Sequence, residues 1–243
     1  MKKIYIFTIS LFIGTYAQAQ LSIDMESGVA TFGYNDVRIP GKGGTLFSLS
    51  KNFENGFTPF FRARLQYTIG KRHSILALYA PFVWKSKGFT NNPVYFQDQL
   101  FIAGEDINAT WKFNSYRLSY QYHFIEKEKF VLALGITGKI RDAKIALINA
   151  STFAEKSNIG FVPLIRFYAD IIMAEKFHII ADGDALVAKQ GRAEDVLFAI
   201  GYNPLTRLRI KLGYRLLEGG ADNDEVYNFS AVHYIAGGIS VTF

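Results

Sequence analysis

The sequence predicts an all-β protein, a closed antiparallel up-and-down transmembrane β-barrel, with ten strands favoured and twelve as the alternative. Three observations predict this class. Apolar and polar residues alternate with a period of two along most of the chain, which places them on opposite faces of strands. Although 49% of the residues are hydrophobic, no run of about 18 apolar residues follows Tyr16, so no transmembrane helix is expected. Tight turns and longer links also alternate between the strands.

The chain begins with a segment typical of a secretory signal peptide. MKKIYIFTISLFIGTYAQAQ contains two lysines, an apolar run that ends near Tyr16, and Ala17-Gln18-Ala19 as a cleavage site. The apolar run is shorter than the roughly 20 residues of a spanning helix. We therefore expect residues 1–19 to be the signal peptide and 20–243 the barrel domain. The absence of cysteine excludes disulfides, thiol catalysis and lipid attachment at an N-terminal cysteine.

Two assignments are open for the strands before residue 58. MESGVATFGY (25–34) and TLFSLSK (45–51) both have strand character, whereas the chain from residue 58 onward yields nine strands. We favour 45–51 as the first barrel strand, with 25–44 as a periplasmic or lumenal segment, which makes ten strands in all. In the alternative, 25–51 contains two strands and VYFQDQLFI within 86–104 adds another, which makes twelve.

Three strands after residue 58 show the alternation most clearly. They are FFRARLQYTI (60–69), YRLSYQYHF (116–124) and TRLRIKLGYRLL (206–217). Each places its arginines on one face and apolar residues on the other, whereas a helix would distribute the arginines around its circumference. Less regular segments of the same kind are expected at about 74–85, 130–148, 160–174, 177–188, 194–203 and 230–243.

Short polar turns join these strands in alternation with longer links. The turns are GKRH (70–73), EKEK (126–129), EKF (175–177) and NPLTR (203–207). Counting back from the last strand places every one of them on the periplasmic side. Because cross-strand partners share a face, we pair Asn203 with Arg207, which puts Asp195 directly opposite Arg215. By the same rule we pair Phe124 with Phe130 around EKEK.

Alternation alone does not say which face of the barrel is inside. A soluble barrel would bury the apolar face, whereas a membrane barrel turns it toward lipid and fills the lumen with polar groups. The polar face carries too many arginines for an apolar ligand pocket, and aromatic residues gather near strand ends, as interfacial girdles require. Both observations favour a membrane barrel.

The end of the last strand, GGISVTF, carries Ile239, Val241 and Phe243 on one face. This pattern resembles the recognition signal that bacterial outer-membrane β-barrel proteins present to their assembly machinery. The resemblance covers 20–243, and phrases such as NDVRIPG and NIGFVPL look like those of an uncharacterised family of such barrels. It implies the outer membrane of a Gram-negative bacterium, with membrane lipid, lipopolysaccharide and the assembly machinery as partners. It implies no activity.

The polar face predicts a strongly charged lumen. Its expected members are Arg62, Arg64, Arg117, Lys139, Arg141, Arg166, Asp170, Asp182, Asp184, Asp195, Arg207, Arg209, Lys211 and Arg215. Because buried charges must be paired, we interpret them as a network of ion pairs that fills the barrel. A narrow pore whose basic lining favours anions is the alternative.

No residue is assigned a catalytic function. Asp182 and Asp184 share a face, as paired carboxylates for acid–base chemistry would, but Arg166 nearby favours a salt bridge. His233 lies near Ser230 at the external end, where a lipid-modifying enzyme would act. However, the alternation of side chains along its strand points His233 toward lipid. We expect His233 not to be catalytic.

The sequence predicts no metal, cofactor or nucleic-acid site. Zinc spacings and phosphate-binding glycine motifs are absent, and the acidic loop EGGADNDEVYN lacks the calcium-loop pattern. The net charge of +6 becomes +4 without the two lysines of the signal peptide, and the basic residues lie on strand faces rather than in clusters. The resulting hypothesis is a structural or narrow-pore barrel. An outer-leaflet lipid-modifying enzyme and a soluble periplasmic ligand-binding barrel are the alternatives.

Overall fold

A computed structural model of the chain describes residues 20–188 and 191–243, and the predicted signal peptide lies outside them. The described chain is all-β, and its strands pair with their neighbours in an antiparallel meander. Pairing of the last strand with the first closes the sheet into a barrel. Within the described residues there is no helix long and apolar enough to cross a membrane.

Fourteen strands form in chain order among the described residues. They are β1 (Gln20–Arg38), β2 (Phe47–Ser48), β3 (Thr58–Ile69), β4 (His73–Ala80), β5 (Val83–Gly88), β6 (Val94–Phe96), β7 (Gln99–Phe101), β8 (Ile107–Lys127), β9 (Phe130–Ile148), β10 (Phe153–Ala174), β11 (Phe177–Ala188), β12 (Gly191–Leu205), β13 (Leu208–Asp222) and β14 (Tyr227–Thr242). β4 and β5 pair with successive parts of β8 and act as one wall strand. The barrel wall therefore has ten strands, as predicted.

The prediction that 45–51 forms the first barrel strand was wrong. β1 begins at Gln20 and pairs along its length with β14 on one side and β3 on the other, so 25–34 belongs to the wall. Of 45–51, only β2 is a strand, and it pairs with two residues of β1. The side chains of Phe47 and Leu49 are buried, because this segment folds against the barrel instead of extending it. VYFQDQLFI forms the separate hairpin β6–β7.

The two ends of the barrel differ in their connections. At one end, here called the turn end, the loops are short, and three of them have the same construction. Glu128-Lys129, Glu175-Lys176 and Thr206-Arg207 are two-residue turns, and each follows a register shift near the end of the incoming strand. At the opposite end, the loop end, longer segments connect the strands, including residues 39–57 and 89–106.

These register shifts make both predicted hairpin registers wrong by two residues. Tyr202 pairs with Ile210, and Tyr122 pairs with Leu134. The predicted pairs left about three residues in the NPLTR turn and about five in the EKEK turn, whereas the strands continue to two-residue turns and accommodate the extra residue as a bulge. A shift of two residues leaves wall residues such as Asp195 and Arg215 on their predicted faces.

Burial alternates along the wall strands, and the two faces differ in chemistry. The outward face is apolar, with Leu118, Ile136, Phe198 and Leu212 among its most exposed residues. The inward face combines charged residues near the middle of the barrel with an aromatic cluster toward the loop end. In that cluster Phe32 packs edge-on against Trp84 and Trp111, each at a ring-centroid distance of 5.2 Å.

Candidate functional site

A group of buried charged side chains fills the middle of the lumen, and we call it the central charge cluster. Its members are Glu26, Arg62, Arg64, Arg117, Arg166, Asp182, Asp184, Asp195 and Arg215. They come from β1, β3, β8, β10, β11, β12 and β13, so the cluster connects opposite sides of the barrel wall. Alternation brings them together, since each projects from the inward face of its strand.

Asp195 is held by three guanidinium groups. Its carboxylate accepts hydrogen bonds from Nη2 of Arg62 at 3.0 Å, Nη2 of Arg117 at 2.5 Å and Nη1 of Arg215 at 2.5 Å. The side chain of Asp195 is only 2% exposed. Charge-assisted hydrogen bonds of this kind are the strongest that proteins form, and an ion pair shielded from water requires them.

Asp182 and Asp184 are also bound by arginines. Asp182 contacts Nη1 of Arg64 at 2.6 Å and pairs with Arg166. Asp184 accepts hydrogen bonds from Nη1 of Arg117 at 2.7 Å and from the hydroxyl of Thr137 at 2.6 Å. Neither carboxylate is free to act as a general base, because its lone pairs already face cations and donors.

Glu26 belongs to the cluster, although the sequence prediction missed it. Its carboxylate accepts from Nε and Nη2 of Arg215, at 3.1 and 3.0 Å, and from Nζ of Lys211 at 2.7 Å. Lys211 also lies 2.8 Å from Asp24. The alternation within MESGVATFGY would have placed Glu26 inside. It was omitted only because 25–44 was assigned outside the barrel wall.

A smaller polar group lies on the turn-end side of the cluster. Asp170 accepts hydrogen bonds from Nη1 of Arg209 at 2.8 Å and from the Tyr168 hydroxyl at 3.1 Å, and it lies 2.9 Å from Nδ1 of His178. Asp170 and Arg209, both predicted for the lumen, are therefore paired with each other. Arg207, in contrast, lies in an exposed turn and lines only the turn-end opening.

Lys139 and Arg141 face the lumen on the loop-end side of the cluster. Lys139 is 2% exposed, and its ammonium lies 4.6 Å from the centre of the Phe113 ring. Within the described residues, no carboxylate lies within 4.0 Å of that ammonium. Arg141 donates from Nη2 to Asn158 at 2.5 Å, while its buried Nε has no partner in the described structure.

Two cavities flank the central charge cluster. The loop-end cavity has a volume of about 950 Å³, and its lining includes Trp111, Phe113, Lys139 and Arg141. The turn-end cavity, of about 300 Å³, is lined by polar residues that include Arg166 and Lys211. The two cavities share no lining residue among the described ones, and Asp195 lines neither.

The other candidate groups lie apart from one another. His233 lies on the outward side of β14, where Nδ1 is 2.5 Å from the Tyr214 hydroxyl. Ser230 is buried on the opposite side of that strand, so the two cannot form a dyad. In the acidic loop, Asp224 pairs with Lys42 and Glu225 with Lys156. Across residues 20–188 and 191–243, no group of three or more metal-ligating side chains is arranged to hold an ion.

The proposed assembly residues lie on the strand that closes the barrel. Ile239 and Val241 point outward and pair with Met25 and Ile23 of β1. The backbone N–H of Phe243 donates to the carbonyl of Leu21 at 2.8 Å, and the phenyl ring is exposed.

Comparison with solved structures identifies the architecture. The outer membrane protease OmpT from Escherichia coli matches with a TM-score of 0.56 at 9% identity, over 92% of this chain and 97% of that chain. The fold is that of the bacterial outer-membrane β-barrels. No protein-family model and no curated protein matches the sequence. At this identity the likeness concerns the fold alone.

Two further solved barrels align with lower scores. One is an outer membrane channel from Pseudomonas putida F1, with a TM-score of 0.47 at 9% identity over 98% of this chain and 100% of that chain. The other is the attachment invasion locus protein of Yersinia pestis, with a TM-score of 0.41 at 11% identity over 92% of this chain and 99% of that chain.

Proposed function

We propose that this protein is a structural β-barrel of the Gram-negative outer membrane whose lumen is closed at its centre by the central charge cluster. The observation that carries the proposal is Asp195, held by three guanidinium groups between two cavities that share no lining residue within 20–188 and 191–243. An ordered network of this kind fills the space that a narrow pore would need for water and ions.

The distribution of polarity supports the membrane location. The outward face carries exposed aliphatic and aromatic side chains, while the buried face carries the ion pairs, which is the reverse of a soluble ligand-binding barrel. Among the described residues, outward ion pairs such as Lys112–Asp142 and Lys144–Glu155 lie toward the loop end. Their position is consistent with a lipid boundary below the loops.

The strand lengths support the same arrangement. A transmembrane β-strand needs about 9–11 residues, whereas β8 has 21 and β10 has 22. With the apolar band in lipid, the loop-end half of the barrel projects into the aqueous phase outside the cell. Membrane lipid and lipopolysaccharide would surround the wall, and the assembly machinery would engage Ile239, Val241 and Phe243. The proposal includes no nucleic-acid partner and no catalytic step.

Conductance across planar lipid bilayers tests whether the cluster closes the lumen. Purified wild-type protein is expected to show no ion-conducting steps. The double variant Arg117→Ala with Asp195→Ala removes one cation and one anion from the centre and should open a water-filled path with measurable conductance. Steady anion-selective conductance by the wild type would instead support the pore.

The matched control changes an exposed ion pair in the same way. Lys42→Ala with Asp224→Ala removes one cation and one anion from the loop end, where both side chains are about three-quarters exposed. Like the wild type, this variant should show no ion-conducting steps. Conductance in both double variants would mean that the central charge cluster is not what closes the lumen.

A further inference from the structure

We propose that the loop-end cavity binds a small amphipathic anion, whose acidic group contacts Lys139 and Arg141 and whose apolar body packs against the aromatic wall. The inference goes beyond the proposed function and holds whether or not the lumen conducts ions. It rests on the size of the cavity, the apolar part of its lining, and the two cations Lys139 and Arg141. The other basic residues of the lining pair with carboxylates, whereas these two have none within 4.0 Å among the described residues.

The cavity has the dimensions and lining of a ligand site. Its volume of about 950 Å³ lies within the range of about 300–1,000 Å³ that is usual for small-molecule sites. Trp111 and Phe113 stack at a centroid distance of 5.3 Å and form one wall, while Ile145, Val162 and Leu217 add aliphatic surface. An apolar body of one or two rings would replace water on these surfaces.

Lys139 supplies a cation that the described protein leaves without a carboxylate. Its side chain is almost fully buried, and its ammonium rests on the Phe113 ring at 4.6 Å. Burying an ammonium group without an anion is unfavourable. The aspartates of the central charge cluster already face guanidinium groups. An anionic group in the cavity would supply the missing counter-charge.

Arg141 lies two residues along β9 on the same face, about 7 Å from Lys139 by strand geometry. Its Nη2 binds Asn158, while its buried Nε remains without an acceptor. Gly160 lies directly opposite Arg141 on β10, and a Cβ at that position would be 3.1 Å from Nη2. The glycine thus leaves room for the guanidinium group where it lines the cavity.

The chemistry of the cavity selects one class of ligand. A neutral apolar molecule would leave both cations without an anion, and a small inorganic anion would leave the aromatic wall exposed to water. A molecule that carries one carboxylate, phosphate or sulfonate on an apolar body satisfies both surfaces. We choose an aromatic carboxylate as the probe because a neutral amide of the same shape is available as its comparison.

The experiment measures binding of 2-naphthoate and 2-naphthamide to the full chain in lipid nanodiscs by isothermal titration calorimetry, with protein-free nanodiscs subtracted. Wild type should bind naphthoate with one-to-one stoichiometry and at least about tenfold more tightly than the amide, as expected for charge-assisted hydrogen bonds. Equal affinity for the two probes, or no saturable binding of naphthoate, would overturn the proposal.

Variants assign the binding to the cavity. Lys139→Met keeps the length of the side chain and removes its charge, so naphthoate affinity should fall about tenfold or more while amide affinity stays the same. Lys85→Met makes the same change on the outward face of β5 and should leave both affinities unchanged. Unchanged naphthoate binding in Lys139→Met would contradict the assignment.

A second variant keeps the test decisive if Lys139→Met fails to fold. Arg141→Gln should weaken naphthoate binding in the same selective way, because it removes the charge while keeping a polar side chain beside Asn158. Equal loss of naphthoate and amide binding in Arg141→Gln would indicate a change in cavity shape and would also contradict the proposal. None of these results depends on conductance, so the proposed function is tested separately.

Discussion

Asp195 and Arg215 form an ion pair across the β12–β13 hairpin although their backbones are not paired. Asp195 lies opposite Leu217, and Arg215 lies opposite Leu197, yet Nη1 of Arg215 is 2.5 Å from Oδ1 of Asp195. Diagonal neighbours on one face of a sheet are about 7–8 Å apart, which an arginine side chain can span. The expected contact therefore forms even though the predicted register was wrong by two residues.

The first prediction concerns the stability that depends on this pair. Asp195→Ala leaves three buried guanidinium groups without their shared carboxylate and should lower the free energy of unfolding by about 3–5 kcal/mol. A double-mutant cycle with Arg215→Ala, followed by urea unfolding in lipid vesicles, should show strong coupling. The same cycle on the exposed pair Lys42 and Asp224 should give only about 0–1 kcal/mol. Equal coupling in the two cycles would contradict the shielded centre.

The second prediction concerns the outward face. Leu212 is 65% exposed and is the fifth residue of β13, within the part of the wall that we place in lipid. If this face contacts lipid, Leu212→Arg should lower the free energy of unfolding by about 2–4 kcal/mol, whereas Leu212→Val should be tolerated. Leu205, 66% exposed beside a turn, is the control, because Leu205→Arg near the interface should cost about 0–1 kcal/mol. Similar losses at the two positions would contradict the membrane depth assigned to them.

The third prediction separates assembly from folding. The Phe243 ring is exposed, and the backbone N–H of this residue donates to the carbonyl of Leu21. Phe243→Glu should therefore refold in vitro in detergent micelles about as well as the wild type but accumulate poorly in the outer membrane of cells. Phe243→Tyr is the conservative control. Heat-modifiable gel mobility measures both, and a normal cellular yield of Phe243→Glu would remove the assembly role.

The fourth prediction is that His233 has no catalytic function. Its hydrogen bond to Tyr214 lies on the outward face, whereas Ser230 is buried on the opposite side of β14. Lipid-A profiles measured by mass spectrometry in cells that express wild type or His233→Ala should be identical. A modification that appears only with wild-type protein would require an enzymatic site that includes this histidine.

Alternation predicted the faces of the strands well but not their pairing. Because the side-chain period is two, it assigned residues such as Arg62 and Arg215 to one face, and the structure buries both side chains. It could not detect the register shift between Tyr202 and Leu205, since a bulge changes pairing without changing composition. The predicted pair Asn203–Arg207 left about three residues in the turn, whereas the turn itself is Thr206-Arg207.

The aromatic half of the lumen was not predicted either. Phe32, Trp84 and Trp111 lie on the inward face, where the expectation was a polar lining. An apolar residue on the inward face breaks the alternation of apolar and polar residues. In a single sequence such a break cannot be distinguished from an irregular strand. The same loss of signal obscured the loop-end cavity, whose lining combines Trp111 and Phe113 with Lys139.

The last prediction tests the register directly with engineered disulfides, which is practical because the chain has no cysteine. Ile200 lies opposite Leu212 on the outward face, whereas the register inferred from the sequence would place it opposite Ile210. Directly paired residues have Cβ atoms about 4.5–5.5 Å apart and diagonal ones are farther away, while a disulfide needs about 3.5–4.5 Å. Under mild oxidation, Ile200→Cys with Leu212→Cys should therefore lose its free thiols faster than Ile200→Cys with Ile210→Cys, as measured by maleimide labelling and mass spectrometry. Each single variant serves as a control for disulfides between chains. Faster closure of the Ile200–Ile210 pair would restore the register with Asp195 directly opposite Arg215 and would contradict the bulge before the Thr206-Arg207 turn.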